Sequence, residues 1–260
     1  MRIVVLVKHV PCVVGELAFA ADLTLGRIGR PGQLNGADGF AVDQALRIAL
    51  RRRDVQVTAL TMGPARAVDA LRRALVLGAD DGVHLLDDRL RGSDALATSR
   101  VLAAAVAQLG FDLVLCGTAS ADSAMSVVPA MVAERLGVPG LCFADGLAVR
   151  ENTVEVRRDD GGGLEVFAAD LPAVVSVTER CGEPRYPRFL ASVEARYRPV
   201  RTWTLDDVGV DPAEVGHGAA ATVVRTATAH RQRRTCVIVE GDPTSAAIRL
   251  ADFLAERQFL

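Results

Sequence analysis

Hydrophobic and polar positions change their period repeatedly along the chain. Four short segments rich in apolar residues are typical of buried strands. These predicted strands are Ile3–Val7, Val55–Leu60, Val83–Leu86 and Leu113–Cys116. After each strand, apolar residues recur at the three- and four-residue spacing of an amphipathic helix. The predicted helices are Ala41–Leu50, Gly63–Gly78, Ser93–Leu109 and Ala124–Leu136.

This regular alternation of strand and helix predicts an α/β fold. Right-handed crossovers between successive strands give a doubly wound, mostly parallel, Rossmann-like sheet with helices on both faces. After Pro139 three runs alternate with a period of two and are separated by glycines, which predicts a small antiparallel hairpin region. These runs are Leu147–Val149, Val154–Arg157 and Leu164–Ala168, and a further buried strand is predicted at Leu171–Val177.

The last quarter of the chain has a different pattern. The stretch 205–235 is rich in Gly, Ala, Thr and His, whereas Pro243–Arg257 has apolar residues at helical spacing. We therefore predict an α/β nucleotide-binding domain at 1–204 and an extended C-terminal arm with a helix at 205–260. The pattern leaves open whether this arm docks on a partner subunit or folds back on its own domain.

Composition excludes several classes of function. Half of the 260 residues are hydrophobic and the net charge is −2, which favours a globular protein and argues against nucleic acid as a partner. No apolar run reaches the roughly 18 residues of a membrane span, and the N-terminal run is broken by Lys8 and His9, so we expect neither a membrane span nor a signal peptide. These features predict a cytoplasmic protein. Lys8 is the only lysine, and we attribute this to compositional bias.

The stretch LVLCGTASADSAMSVVPAMVAERLGVP predicts a strand, a glycine-containing loop and a helix start. This geometry suits an anion, because the first N–H groups of a helix lack partners and the helix dipole favours negative charge. Gly117 permits close approach of a ligand to the backbone, and Asp122 and the nearby serines offer hydrogen bonds or a helix cap. The loop has neither a Walker lysine nor a dinucleotide fingerprint. A capped helix without any ligand is the alternative explanation.

Three more segments are predicted at the same edge of the sheet. Leu6–His9 follows the first strand, Asn35–Asp38 precedes the first helix, and Met62–Ala65 joins the second strand to its helix. Ligands of doubly wound sheets bind beyond the carboxyl ends of the strands. Each segment alone is weak evidence, because Asn35 also suits a turn and Asp38 also suits a helix cap.

The sequence predicts no catalytic residue and no metal site. The four histidines lack a nucleophile in a recognisable motif. Asp80, Asp81, Asp87 and Asp88 surround a short predicted strand, and we interpret them as residues of solvated turns.

Several segments together resemble the β subunits of electron transfer flavoproteins, the family that includes the FixA proteins. The segments are VLVKHVP, LNGADGFAVDQALR, LTMGPARAVDALRRALVLGADDGVHL, DLVLCGTASADSAMSVVPAMVAERLGVP and LPAVVSVTERCGEPRYPRF. The resemblance covers residues 1 to about 210, and the order and spacing of the segments fit the family.

The resemblance implies an electron carrier rather than an enzyme. Family members are heterodimers of an α and a β subunit, with the redox-active FAD held mainly by α and an AMP without a redox role in β. They pass electrons from flavin dehydrogenases to a quinone reductase or a similar acceptor. Two alternatives remain: an electron-bifurcating relative with a second FAD in place of AMP, and a non-redox adenine-nucleotide-binding module.

The resemblance also implies two sets of site residues. The AMP contacts carried over by position are Leu6, Asn35, Gly36, Ala37, Asp38, Met62, Gly117, Thr118, Ala119, Ser120, Ala121, Asp122, Ser123, Ala124, Met125, Ser126, Val127 and Val128. A recognition segment for partner dehydrogenases, Glu183–Tyr197, is implied with the residues Glu183, Pro184, Arg185, Tyr186, Phe189 and Leu190. Phe189 is the expected docking anchor, with Leu190 as the neighbouring candidate.

Overall fold

A computed structural model describes residues 1–12, 19–26, 31–159, 161–187, 189–228, 238–239 and 241–259. The side chains of Phe189 and Leu190 lie outside this description. The chain divides into two compact units, Met1–Arg225 and Thr226–Leu260.

Strands and helices alternate through most of the first unit. The strands are β1 Arg2–Leu6, β2 His9–Pro11, β3 Gly32–Leu34, β4 Gln56–Met62, β5 Asp81–Leu85, β6 Leu113–Gly117, β7 Gly140–Ala144, β8 Gly146–Arg150, β9 Thr153–Asp159, β10 Leu164–Asp170, β11 Ala173–Val177 and β12 Val200–Trp203. The helices of this unit are α1 Gly36–Arg51, α2 Val68–Leu77, α3 Ala95–Leu109, α4 Val128–Leu136, α5 Phe189–Glu194 and α6 Gly216–Ala219. The second unit contains α7, Pro243–Glu256.

Seven parallel strands form the central sheet in the order β12-β5-β4-β1-β6-β11-β7. Val5 of β1 pairs with Ala59 of β4 on one side and with Leu115 of β6 on the other. The chain moves outward from β1 through β4 to β5 and then returns to place β6 against the free side of β1. The predicted doubly wound, parallel α/β fold is therefore confirmed, and its switch point lies between β1 and β6.

The two faces of the sheet bury separate apolar layers. Val5 packs in the layer that contains Val42 of α1 and Leu71 of α2, whereas Val4 packs in the layer of Val101 from α3 and Val132 from α4. Because consecutive strand residues point to opposite faces, β1 must be apolar from Ile3 to Leu6 to serve both layers. This requirement explains its continuous hydrophobic run.

The predicted antiparallel region is also confirmed. Strands β8, β9 and β10 form a three-stranded sheet in which Val156 pairs with Phe167 and with Leu147. The sequence analysis did not predict β2, β3, β7 or β12. β2, β3 and β12 have only three or four residues each, which is too short for a hydrophobic period to emerge.

The predicted start of the fourth helix is wrong. The sequence pattern places it at Ala124, but α4 begins at Val128, and Ala124 and Ser126 have φ values of 49° and 57°. These values belong to the left-handed region, which an α-helix cannot include. The loop after β6 is therefore longer than predicted and runs to Val127.

The segment after residue 204 contributes to the core of the first unit. Leu205 is fully buried, and Val208, Val210 and Val215 pack with it in the layer that contains α3. The compact unit thus extends beyond the predicted boundary to Arg225. Within α7 no residue is buried, and Ile248 and Leu250 are more than half exposed. Docking of the arm on a partner stays a prediction.

Within the described ranges, no helix combines the length and the apolar character that crossing a bilayer requires. The cytoplasmic location stays a prediction.

Candidate functional site

The switch point brings three of the predicted site segments together. β1 and β6 are neighbours in the sheet, so the residues that follow Leu6 and Gly117 leave the same edge side by side. The entry to α1 lies against both of them, because Lys8 donates its backbone N–H to Asp38 Oδ2 at 2.7 Å. Met62, at the end of β4, packs against the apolar layer that contains Leu6.

Asn35 joins the start of α1 to the loop after β6. Its Nδ2 donates to the Ala119 carbonyl at 2.9 Å, and its Oδ1 accepts the Ala121 N–H at 3.0 Å. The side chain is therefore committed to the loop and does not cap α1, although Asn35 occupies the N-cap position. With only 2% of its surface exposed, Asn35 is a buried clamp rather than a turn residue at the surface.

Asp38 lies at the centre of this arrangement. Its carboxylate accepts hydrogen bonds from Asn35 Nδ2 at 2.9 Å and from the backbone N–H groups of Lys8 and Gly117. Burial raises the pKa of Asp38 to about 7, although the hydrogen bonds and the Lys8 charge oppose this rise. The site therefore contains a carboxyl group that exchanges its proton near neutral pH, and Asp38 is not a helix cap.

Gly117 allows the start of α1 to pack against the end of β6. A Cβ at this position would lie 2.5 Å from Asp38 Oδ1 and 2.6 Å from the carbonyl carbon of Ala37. Both distances are shorter than side chains tolerate. The sequence analysis assigned the close approach to a phosphate, but within this chain the helix itself makes it.

Lys8 is a site residue that the sequence analysis missed. Its Nζ lies 2.8 Å from Asp122 Oδ1 and 3.1 Å from Ser120 Oγ, which ties the end of β1 to the loop after β6. The Asp122 side chain is only 2% exposed, so it is a buried ion-pair partner and not a cap of α4. The available signal was the position of the only lysine just beyond a predicted strand.

Two helices, α1 and α4, begin at this edge of the sheet. Among the described residues, neither α1 nor α4 has a side-chain cap. The first N–H groups of a helix need partners, and the helix dipole attracts negative charge. Small side chains line the loop that joins β6 to α4, where Ser120 and Ser123 share a hydrogen bond of 2.7 Å. This geometry can hold a phosphate group through backbone donors.

Two further residues of the predicted AMP site, Thr118 and Met125, lie in the loop after β6 and differ in their surroundings. Thr118 donates its hydroxyl to the Val177 carbonyl at 2.6 Å and so ties the loop to β11. Met125 is about half exposed at the tip of the loop. The loop residues thus divide into those that fix its base and those that remain accessible to a ligand.

A second cleft lies at the opposite, amino-terminal edge of the sheet. It has a volume of about 320 Å³ and is lined by residues that include Arg2, Asp81, Arg201 and Trp203. Arg201 Nη2 lies 2.9 Å from Asp81 Oδ2. None of the predicted AMP contacts lines this cleft.

The aspartates near β5 have structural partners. Asp87 accepts hydrogen bonds from Arg89, and these bonds hold the pKa of Asp87 well below its usual range. Asp81 pairs with Arg201 across neighbouring strands. The interpretation of Asp81 and Asp87 as residues of solvated turns is therefore wrong.

The recognition segment begins against the outer side of α1. Tyr186 is 93% exposed between two prolines, and Glu183 and Arg185 are also exposed. Phe189 and Leu190 start α5, but their side chains lie outside the described part of the chain. The docking role of Phe189 therefore stays a prediction.

Comparison with known proteins points to the electron transfer flavoproteins. The family model "Electron transfer flavoprotein domain" matches residues 22–208. An electron transfer flavoprotein subunit beta of Mycobacterium leprae is 39% identical over 87% of this chain and 88% of the relative. A protein of the same name from Clostridium acetobutylicum is 30% identical over the full length of both chains. The caffeyl-CoA reductase-Etf complex subunit CarD of Acetobacterium woodii is 32% identical over 86% of each chain.

The strand order defines a doubly wound α/β protein whose switch point lies between β1 and β6. The matching family model and relatives make the assignment specific. The chain belongs to the electron transfer flavoprotein β-subunit family.

Proposed function

We propose that this chain is the β subunit of a heterodimeric electron transfer flavoprotein in the cytoplasm. The complex carries electrons from flavin dehydrogenases to a quinone reductase or a similar acceptor, and the chain by itself is not a catalyst. The redox-active FAD is held mainly by the α subunit and supplies the electron-carrying chemistry. The chain contributes the nucleotide crevice, the recognition segment and the C-terminal arm.

The observation that carries the proposal is the crevice between β1, β6 and α1, in a chain whose relatives are β subunits. AMP suits this crevice, because α1 and α4 begin there without side-chain caps among the described residues, and their first N–H groups can donate to a monophosphate. Asn35 fixes the loop around the nucleotide. The proposed contacts are Leu6, Asn35–Asp38, Met62 and Gly117–Val128.

Two features favour a structural nucleotide over a reactive one. The Lys8 ammonium is already paired with Asp122, and the loop has no P-loop sequence that would hold a triphosphate with a metal ion. A bound monophosphate stabilises the folded state that presents the crevice, because it binds the folded chain and not the unfolded one.

The test is a count of bound nucleotides. The chain is expressed alone and together with its candidate α subunit, each preparation is denatured, and the released AMP and FAD are quantified. We expect a nearly colourless chain that carries AMP, and a yellow heterodimer with one AMP and one FAD. Two FAD molecules without AMP would identify the bifurcating alternative. A chain that binds nucleotide but no α subunit would favour a non-redox module.

The crevice is tested with the only two asparagines of the chain. Asn35→Ala removes the clamp between α1 and the loop, so AMP content is expected to fall while FAD content in the heterodimer remains. Asn152→Ala changes an exposed turn between β8 and β9 and is the matched control. Equal AMP content in both variants would show that the nucleotide does not bind in this crevice.

A further inference from the structure

Helix α1 contacts the recognition segment as well as the nucleotide crevice. Its first turn forms one wall of the crevice, and its third turn holds the chain that leads into the segment. Gln44 Nε2 donates to the Cys181 carbonyl at 3.0 Å, and Arg47 Nη2 donates to the Glu183 carbonyl at 3.1 Å. Residues 182–187 form neither helix nor strand, so these side-chain contacts determine their path.

Asp43 is the common partner in this contact. One carboxylate oxygen accepts hydrogen bonds from Arg185, at 3.3 Å from the backbone N–H and 3.1 Å from Nε. The other oxygen accepts from Arg47 Nε, one turn along the helix. The Asp43 side chain is 3% exposed, whereas both arginine side chains are about 40% exposed. A buried carboxylate therefore fixes two partly exposed guanidinium groups.

We propose that Asp43 is a positioning residue for docking of the electron donor, and this inference rests on the proposed function of the recognition segment. By holding the backbone and the side chain of Arg185, Asp43 fixes the direction in which the exposed Tyr186 faces solvent. A segment ordered before docking loses less conformational freedom on binding. Asp43 thus lowers the cost of each encounter with a dehydrogenase without touching the flavin.

The fold is expected to survive removal of this charge. Without Asp43 the two guanidinium groups remain partly in water, so no buried cation is left without a partner. The pairing of partly exposed charges contributes little to stability. The consequence of the substitution therefore falls on the order of residues 182–187.

The experiment compares heterodimers that carry Asp43→Asn, Asp43→Glu and the control Asp69→Asn. Asp69 is an exposed aspartate in the first turn of α2. Hydrogen exchange of the peptide covering residues 182–187 reports the order of the segment without any donor. We expect exchange in this peptide to rise about tenfold in Asp43→Asn, because the Arg185 N–H loses its carboxylate partner, while peptides from the sheet stay unchanged. The Asp69 control is expected to match the unmodified protein.

Kinetics supply the second measurement. With an acyl-CoA dehydrogenase as the electron donor, the KM for the Asp43→Asn flavoprotein is expected to rise about tenfold while kcat changes less than twofold, because docking and not electron transfer is impaired. Asp43→Glu keeps the charge and is expected to recover part of the loss. Reduction by dithionite and the FAD and AMP contents are expected to stay unchanged in all variants.

Two further variants separate the possible failures. If Asp43→Asn does not fold, Arg47→Gln removes one partner of Asp43 and the bond to the Glu183 carbonyl, and it replaces Asp43→Asn in both measurements. Unchanged exchange in residues 182–187 overturns the inference whatever the donor. If Phe189→Ala raises KM but Asp43→Asn does not, the recognition segment is correct and Asp43 has no part in positioning it. A dithionite-reducible heterodimer that accepts no electrons from any flavin dehydrogenase overturns the proposed function instead.

Discussion

Raising the pH from 5 to 8 is expected to destabilise the folded chain through Asp38. The folded pKa of about 7 lies above the ordinary value of 3.8, so between these values the folded chain holds a proton that the unfolded chain has released. Stability contributed by this proton is present at low pH and is lost as the pH rises toward 7. Between pH 5 and the folded pKa of about 7, this proton difference extends over two pH units. It therefore lowers the free energy of unfolding by about 2–3 kcal/mol between pH 5 and 8.

The assay is urea unfolding followed by circular dichroism at pH 5 and pH 8. Asp38→Asn is the comparison protein, because its amide does not titrate. The amide cannot accept all three hydrogen bonds of the carboxyl group, so the variant is expected to be about 1–3 kcal/mol less stable than the wild type at pH 5. At pH 8 this difference is expected to shrink or vanish, because only the wild type loses the contribution of the Asp38 proton. Other groups that titrate in this range contribute to both proteins and cancel in the difference between them.

The decisive quantity is the difference between the two pH dependences. The wild-type free energy of unfolding is expected to fall by about 2–3 kcal/mol more than that of Asp38→Asn. Equal losses in the two proteins would refute the reasoning, because Asp38 would then be ionised in the folded state at pH 5. The lowered pKa values of Asp87 and Asp145 act at more acidic pH and do not affect this interval.

Two further predictions concern packing and assembly. Gly117→Ala is expected to lower the free energy of unfolding by about 1–3 kcal/mol, because the new methyl group meets Asp38 and the backbone of α1. The control in the same urea assay is Gly163→Ala, which has open space around it. Equal stability of the two variants would contradict this packing argument. Truncation after Arg225 is expected to preserve the circular dichroism and melting temperature of the first unit but to prevent co-purification with the α subunit, and a stable truncated heterodimer would show that the arm is dispensable.

The sequence predicted the elements that are long enough to show a period. β6 and residues 3–6 of β1 are continuous apolar runs because both faces of the sheet are buried, and α1 to α3 have apolar stripes over ten residues or more. The short β12 and the residues after 204 were missed, since a few buried positions such as Leu205 are enough to attach an irregular segment to a core.

The sequence indicated which segments meet at the carboxyl edge of the sheet, but not the contacts between them. These segments follow from topology, because the ends of parallel strands meet at one edge. The contacts of Lys8 with Asp122 and of Asp43 with Arg185 join residues more than a hundred positions apart, and no local pattern encodes such pairs. The sequence singled out Gly117 for the close approach of a ligand, and within this chain the start of α1 makes a close approach to it.

The contact between Lys8 and the loop after β6 has a practical consequence for labelling chemistry. Lys8 is the only side-chain amine among 260 residues. It follows β1 at the switch point between β1 and β6. Besides the α-amino group of Met1, an amine-reactive fluorophore therefore has a single target, the Lys8 side chain at the switch point. The labelling rate of Lys8 then reports how often the Lys8–Asp122 pair opens. It therefore measures local motion at the switch point.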